Sequence, residues 1–342
     1  MRITTGMMST RYVRNLNKSE AALNHMYEQV ATGRSFFKGS EDPTGAIKAY
    51  KLRREYKYNE MYATNISDAE SFLTLAESNL TEISNNLGLA YTSSLSGITG
   101  TMSSEDREII AKELDNLQDS ILTALNGKFE DRYVFGGTNK TEKPFSIDDN
   151  GNLLYKGINV NDGSSNFDPP KTNAEGLEIL EELSNEAVNI DVGLGIEYDE
   201  TGTVKDSTVF NMAIPGIKFL GYGTDQDGKP NNLFSLIGEI KDQLRRDDFS
   251  MDNIRPYIEK YSEQKNNVLI GVTDIGAKAN YLDFIKLRSE DYQYDLSDRL
   301  SKVEYVDTEE AATNFAMQKY SYNAALAVGN KLLQNSFIDF MS

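Results

Sequence analysis

The tightest constraint on how this chain can fold lies at its two ends, each of which carries an apolar stripe that it cannot bury by itself. Near the start, Ser9, Tyr12, Leu16, Ser19, Leu23, Met26 and Val30 recur at alternating steps of three and four, the spacing of one helix face. At the other end Ala312, Phe315, Lys319, Tyr322, Leu326, Gly329, Leu333, Ser336 and Phe340 repeat the pattern, widened by Ala325, Val328 and Leu332. Such a stripe needs a partner helix to cover it. A chain with one at each end is built to assemble, and its function is expected in polymerisation rather than in a pocket.

Between the ends, helical periodicity flanks an irregular centre. The loop Gly33 to Pro43 precedes a long helical pattern, with Pro43 placed for the first turn. The second half of that pattern is the cleanest in the chain: Ile66, Ala69, Leu73, Ala76, Leu80, Ile83, Leu87 and Ala90 fill every seam position. Gly97 to Gly100 closes it, and Ser103 with Asp106 resembles a capping box that opens the next helix, with Ile110, Leu114, Leu117, Ile121 and Ala124 on its seam.

From Tyr133 to Ser235 the chain holds 13 of its 25 glycines and 5 of its 7 prolines, so strands and turns are expected there. Asp149-Asn150-Gly151-Asn152 between Phe145-Ser146-Ile147 and Leu153-Leu154-Tyr155 signals a hairpin, and a helical insertion is expected from about Glu175 to Val188. From Ile254 to Val303 periodicity returns, and Asp307-Thr308-Glu309-Glu310 marks a break and a fresh N-cap.

The predicted class is mainly α with a β-rich insertion. Five segments follow: an N-terminal assembly helix (1–40), the N-terminal half of a helical rod (41–132), a β-rich head (133–235), the C-terminal half of the rod (236–306) and a C-terminal assembly helix (307–342). Both assembly helices are expected to be disordered in the monomer, since lone amphipathic segments of about 30 residues lose too much chain entropy without neighbours.

Composition narrows the function classes. Thirty-five basic against 53 acidic residues leave a net charge of −18, which repels phosphate backbones and argues against nucleic acid. No apolar run approaches the roughly 20 residues needed to span a bilayer, and Met1 to Gly6 lacks the apolar core of a signal peptide, so export by another route is the expectation. There is no cysteine, and His25 is the one histidine, which leaves the usual triads and zinc motifs without their parts. Neither a Rossmann nor a Walker glycine motif is present. The acidic turns at Asp148-Asp149 and Asp225-Asp227 resemble the opening of a calcium loop but lack its spaced Glu. No enzyme, cofactor or metal role is therefore expected.

Several segments together resemble a known family. They are Met1-Arg2-Ile3-Thr4-Thr5 with Arg14-Asn15-Leu16-Asn17, then Gln29 to Arg34 through Ser40-Glu41-Asp42-Pro43, and Arg132 to Thr138. Ile275-Gly276-Ala277 and the terminal Ala311 to Ser342 complete the set, in which Phe337 and Phe340 stand where the family usually has Tyr or Leu. The chain resembles the flagellin-like family, and within it hook-associated protein 3, the bacterial flagellar hook–filament junction protein.

The resemblance implies paired terminal helices lining a tube, a surrounding helical rod and an outward β-rich head. It also implies secretion unfolded through the flagellar type III export apparatus with an export chaperone. The expected role is a structural adaptor at the hook–filament junction of the bacterial flagellum. Its partners would be further copies of itself in a ring, the neighbouring hook-associated junction protein and flagellin. The residues expected at the assembly interface are Tyr12, Leu16, Leu23, Met26 and Val30 with Phe315, Tyr322, Leu326, Leu333 and Phe340. Flagellin, the bulk filament subunit, is the alternative. A secreted carboxylate-dependent hydrolase is a remote one, since no carboxylate pair is picked out by spacing.

Overall fold

The computed structural model describes residues 5–98, 102–139, 141–165 and 172–338, without the side chains of Thr5, Asp206 and residues 331–338. In chain order the helices are α1 (Thr5–Thr32), α2 (Pro43–Gly97), α3 (Ser104–Leu125), α4 (Asn173–Ser184), α5 (Gly216–Leu220), α6 (Leu233–Arg245), α7 (Met251–Glu304) and α8 (Thr308–Ile338). Short strands β1 (Lys128–Phe129), β2 (Arg132–Tyr133), β3 (Phe145–Ile147), β4 (Leu153–Tyr155) and β5 (Ile158–Asn159) precede α4, and β6 (Asn189–Ile190) and β7 (Phe210–Asn211) follow it. The chain divides into two units, Met1–Glu60 with Glu290–Ser342, and Met61–Ser289; α2 and α7 supply residues to both.

The second unit is organised by the uninterrupted seam on α2. Every one of its eight positions from Ile66 to Ala90 is at most 2% exposed. They share a single core with Leu114 and Ile121 of α3, Ile237 and Ile240 of α6, and Val268, Ile275 and Leu282 of α7. Two contacts fix α7 antiparallel to α2: the buried Tyr261 hydroxyl donates to the Leu87 carbonyl at 2.9 Å, and Lys286 Nζ lies 2.7 Å from Glu70 Oε2. The expected capping box at Ser103 and Asp106 is formed and starts α3.

The turn-rich centre belongs to this same core. Phe135, Phe145, Tyr155, Ile217 and Leu220 are buried in the cluster that contains the helix seams. The hairpin stands where the sequence places it, with Phe145 opposite Tyr155 and Ile147 opposite Leu153. Strands there reach only two or three residues, because glycines at positive φ such as Gly151, Gly193 and Gly202 keep turning the chain before a ladder can lengthen. The helical insertion is α4, capped by Thr172 and Glu175. Helix α6 was not singled out in the sequence, although Asn232 caps it and Leu233, Leu236, Ile237, Ile240 and Leu244 mark its buried face.

Leu87→Ala removes a fully buried seam side chain, and chemical denaturation should show a loss of about 2–5 kcal/mol. Glu186 supplies a pH test. Burial disfavours its ionised form, but the Thr138 amide and the Lys156 ammonium, 2.9 Å away, outweigh that and hold its carboxyl below the ordinary 4.5. The stabilisation is complete above the unfolded value and is lost as pH falls through the folded one. Glu186→Gln should therefore cost about 1 kcal/mol at neutral pH, and its melting curve should converge on that of the parent in acid.

Candidate assembly surface

In the first unit the two terminal stripes meet each other. Ser9, Tyr12, Leu16, Ser19, Leu23, Met26 and Val30 on α1 are all half-buried, while Val13 and Tyr27 are exposed. The Tyr12 hydroxyl donates to the Ala325 carbonyl at 3.0 Å, and the Gln318 amide donates to Ser19 Oγ at 3.1 Å. The Tyr27 and Phe315 rings lie 6.1 Å apart. These contacts set α1 and α8 antiparallel.

On α8 the paired face is Ala311, Phe315, Gln318, Tyr322, Ala325 and Gly329. It runs partly beside the heptad that the sequence suggests, for Ala312 and Lys319 are exposed and Leu326 is 42% exposed. Gly329 accounts for the difference. It is buried, and a Cβ there would overlap the Tyr12 ring, so a backbone without a side chain is what lets the helices approach on that side. Phe315 and Tyr322 sit on the paired face. The Leu333 side chain and Phe340 lie outside the described residues.

The breaks between helices are tied together. Gly33, at φ 70°, ends α1 in the left-handed conformation that glycine favours. Beyond it the Ser35 amide donates to the Glu304 carbonyl at 2.7 Å, and the Val306 amide donates to the Gly33 carbonyl at 2.9 Å. Asp42 then caps α2 by accepting from the Gly45 amide at 2.9 Å, and Asp307 caps α8 by accepting from the Glu309 amide at the same distance. Arg53 Nε stands 2.6 Å from Glu304 Oε1 beside this clip.

Apolar side chains remain exposed on the rest of the unit. No α1 residue with a described side chain is fully buried. Met317 and Val328 on α8 are 58% and 55% exposed, and Tyr320 is 78% exposed, so α8 offers a second face that α1 does not cover. Charge is divided just as sharply. The first unit holds 15 basic and 15 acidic residues, whereas the second holds 20 and 38 and so carries the whole net charge.

The residues considered for chemistry have structural work. His25 meets the Phe37 ring edge-on at 6.3 Å. Asp148 accepts from the Asn150 and Asn152 amides, and Asp225 accepts from the Asp227 and Lys229 amides while pairing with Lys260 at 2.7 Å. Those turn contacts hold both carboxylates below the ordinary range, led in the first by Asn152 and in the second by Lys260. Among the described residues no group of three or more His, Cys, Asp or Glu is placed to hold a metal ion.

The pairing can be tested at its closest approach. Gly329→Ala should push α8 off Tyr12, and amide hydrogen exchange should quicken along α1 while the seam from Ile66 to Ala90 stays protected. Tyr12→Phe, which removes only the hydroxyl, should change α1 protection by about 1 kcal/mol or less.

Comparison with known proteins agrees with this architecture. The bacterial flagellin N-terminal helical region matches residues 3–140. Flagellar hook-associated protein 3 of Escherichia coli (strain K12) is 21% identical over 330 residues, which are 95% of this chain and 95% of its own. Flagellin of Escherichia coli O127:H6 is 27% identical over 214 residues, covering 62% of this chain but only 35% of the flagellin. The solved structure of a proposed flagellar hook-associated protein from Vibrio parahaemolyticus matches 78% of this chain and 100% of its own at 18% identity, with a TM-score of 0.58. The resemblance to hook-associated protein 3 thus runs along nearly the whole chain, on a fold of the same kind.

Proposed function

We infer that this flagellin-like chain, similar to hook-associated protein 3 from end to end, is a structural adaptor of the bacterial flagellum that joins the hook-side junction to the flagellin filament. The observation that carries this is the similarity over 95% of both chains, which flagellin does not match, its own likeness covering 35% of its length. The uncovered apolar faces of the first unit give the adaptor its physical means. Tyr12, Leu16, Leu23, Met26 and Val30 pack with Phe315 and Tyr322, and the exposed Leu326 turns towards neighbouring copies; Leu333 and Phe340 are assigned to the same surface by their spacing in the sequence alone.

The terminal helices order fully on incorporation. Among its described side chains α1 buries none completely, so the α1–α8 pair leaves apolar surface that neighbours at the growing tip cover, and its order increases there. An equal count of basic and acidic residues lets first units of adjacent copies close up without net repulsion. Copies of the chain form a ring between the neighbouring hook-associated protein and flagellin. Delivery there is by the flagellar type III apparatus, with an export chaperone holding the C-terminal helix beforehand. No enzymatic role is assigned.

Leu326→Asp tests the reading. At 42% exposure and off the α1-facing side, the substitution should leave the melting temperature of the purified monomer nearly unchanged. In assembled flagella the carboxylate would be buried without a partner in every copy, at a cost of several kcal/mol each, so filament attachment in cells lacking the native protein should be lost. Normal filaments would show that this stripe is not an assembly surface. A large drop in monomer melting would place Leu326 in the fold of its own chain instead.

A further inference from the structure

The first unit bears a second, electrostatic pair of surfaces that the terminal stripes do not use. On α2, Ile47, Tyr50, Arg54 and Tyr58 form an outward stripe at helical spacing, with Ile47, Tyr50 and Tyr58 exposed by 59%, 69% and 51%. Lys48 and Lys51 flank it. Together with Arg54 they are exposed and have no carboxylate partner among the described residues, whereas their neighbours Arg53 and Lys57 pair with Glu304 and Glu60. Residues 43–60 contain five basic and two acidic side chains.

The other surface has the opposite sign. On α7, Glu290 and Asp291 lie one turn before Tyr294, which is 80% exposed, and both carboxylates are exposed and unpaired among the described residues. Residues 290–304 contain five acidic and two basic side chains, the mirror of the α2 segment. Each surface combines an exposed tyrosine with uncompensated charge, the makeup of a contact that ion pairing orients and aromatic burial holds.

We propose that the α2 stripe of one copy, Tyr50 with Lys48, Lys51 and Arg54, docks head to tail on the Glu290, Asp291 and Tyr294 patch of a second copy. Because the two surfaces differ, the contact is not self-complementary. It repeats from copy to copy and yields a ring or a helical row rather than a closed pair. This deepens the assembly reading above by naming the lateral contact and its polarity.

The experiment uses the absence of cysteine from the chain. Lys51→Cys in one copy and Asp291→Cys in another are co-expressed in cells lacking the native protein, and sheared flagella are oxidised, alongside a concentrated mixture of the two purified full-length variants. A disulfide-linked dimer should form when both variants are present and not with either alone. Dimers from a single variant would mean a symmetric contact, and no dimer in either preparation would mean no contact; both outcomes overturn the proposal. Charge reversal is the second arm. Lys48→Glu with Lys51→Glu should cut incorporation at least tenfold without altering monomer melting, and adding Glu290→Lys with Asp291→Lys to the same chain should restore it. Undiminished incorporation of the first variant, or no recovery in the second, would sink the surface while leaving the adaptor role standing. Failure of the unaltered chain to reach the hook–filament junction would sink the adaptor role, and the purified mixture would still decide the contact.

Discussion

Two backbone hydrogen bonds, from the Ser35 amide to the Glu304 carbonyl and from the Val306 amide to the Gly33 carbonyl, hold the first unit in register. They join the loop after α1 to the junction before α8, so both helical breaks fall at one level. From there Asp42 and Asp307 restart helices of fixed origin, and the offset between α1 and α8 is no longer free. That offset brings Tyr12 to the carbonyl of Ala325 and its ring against the bare backbone of Gly329. If the clip moved by one residue, the half-buried stripe of α1 would meet the exposed side of α8, since each helical step turns the face by about 100°.

The second unit depends on a simpler condition, a seam with no interruption. Eight consecutive apolar positions on α2 allow α3, α6 and α7 to close around it, and the turn-rich centre adds Phe135, Phe145 and Tyr155 to the same interior. Tyr261 illustrates the cost of placing polarity there. Burial pushes its hydroxyl far above its usual range, and the Leu87 carbonyl satisfies the proton that it retains.

Long-range order of this kind was legible where it repeats. The α2 seam, the Ser103 capping box, the Phe145–Tyr155 hairpin and the extent of α7 all carry signals several residues long, and each stands in the structure where the residues place it. Helix α6 is short, and its buried face stood out less because it sits at the edge of glycine-rich sequence. The sharing of a core by residues 133–235 could not be read either, since glycine and proline describe local turning and say nothing about what covers Phe145. The α8 face turned on one residue: Gly329 scores as a weak seam position by hydropathy, yet its missing side chain decides which side of the helix meets Tyr12. The charged run Arg53, Arg54, Glu55 and Lys57 reads in the sequence as a solvated face or, alternatively, a subunit contact, and only the fold separates Arg53, joined to Glu304, from Arg54, which has no carboxylate partner among the described residues.

The partition of charge gives ionic strength two opposed effects on copies gathered side by side. Each copy brings a counterion atmosphere that belongs almost entirely to residues 61–289, because the other unit has none to neutralise. At 0.15 M salt the screening length is about 8 Å, enough to quiet repulsion among the acidic units. Dilution lengthens that reach and sets the acidic units against one another, while concentrated salt weakens any attraction between lysines and carboxylates on the neutral ones. If copies assemble through the proposed contact, their ring would have an optimum salinity, bounded below by repulsion in one half of the molecule and above by loss of pairing in the other.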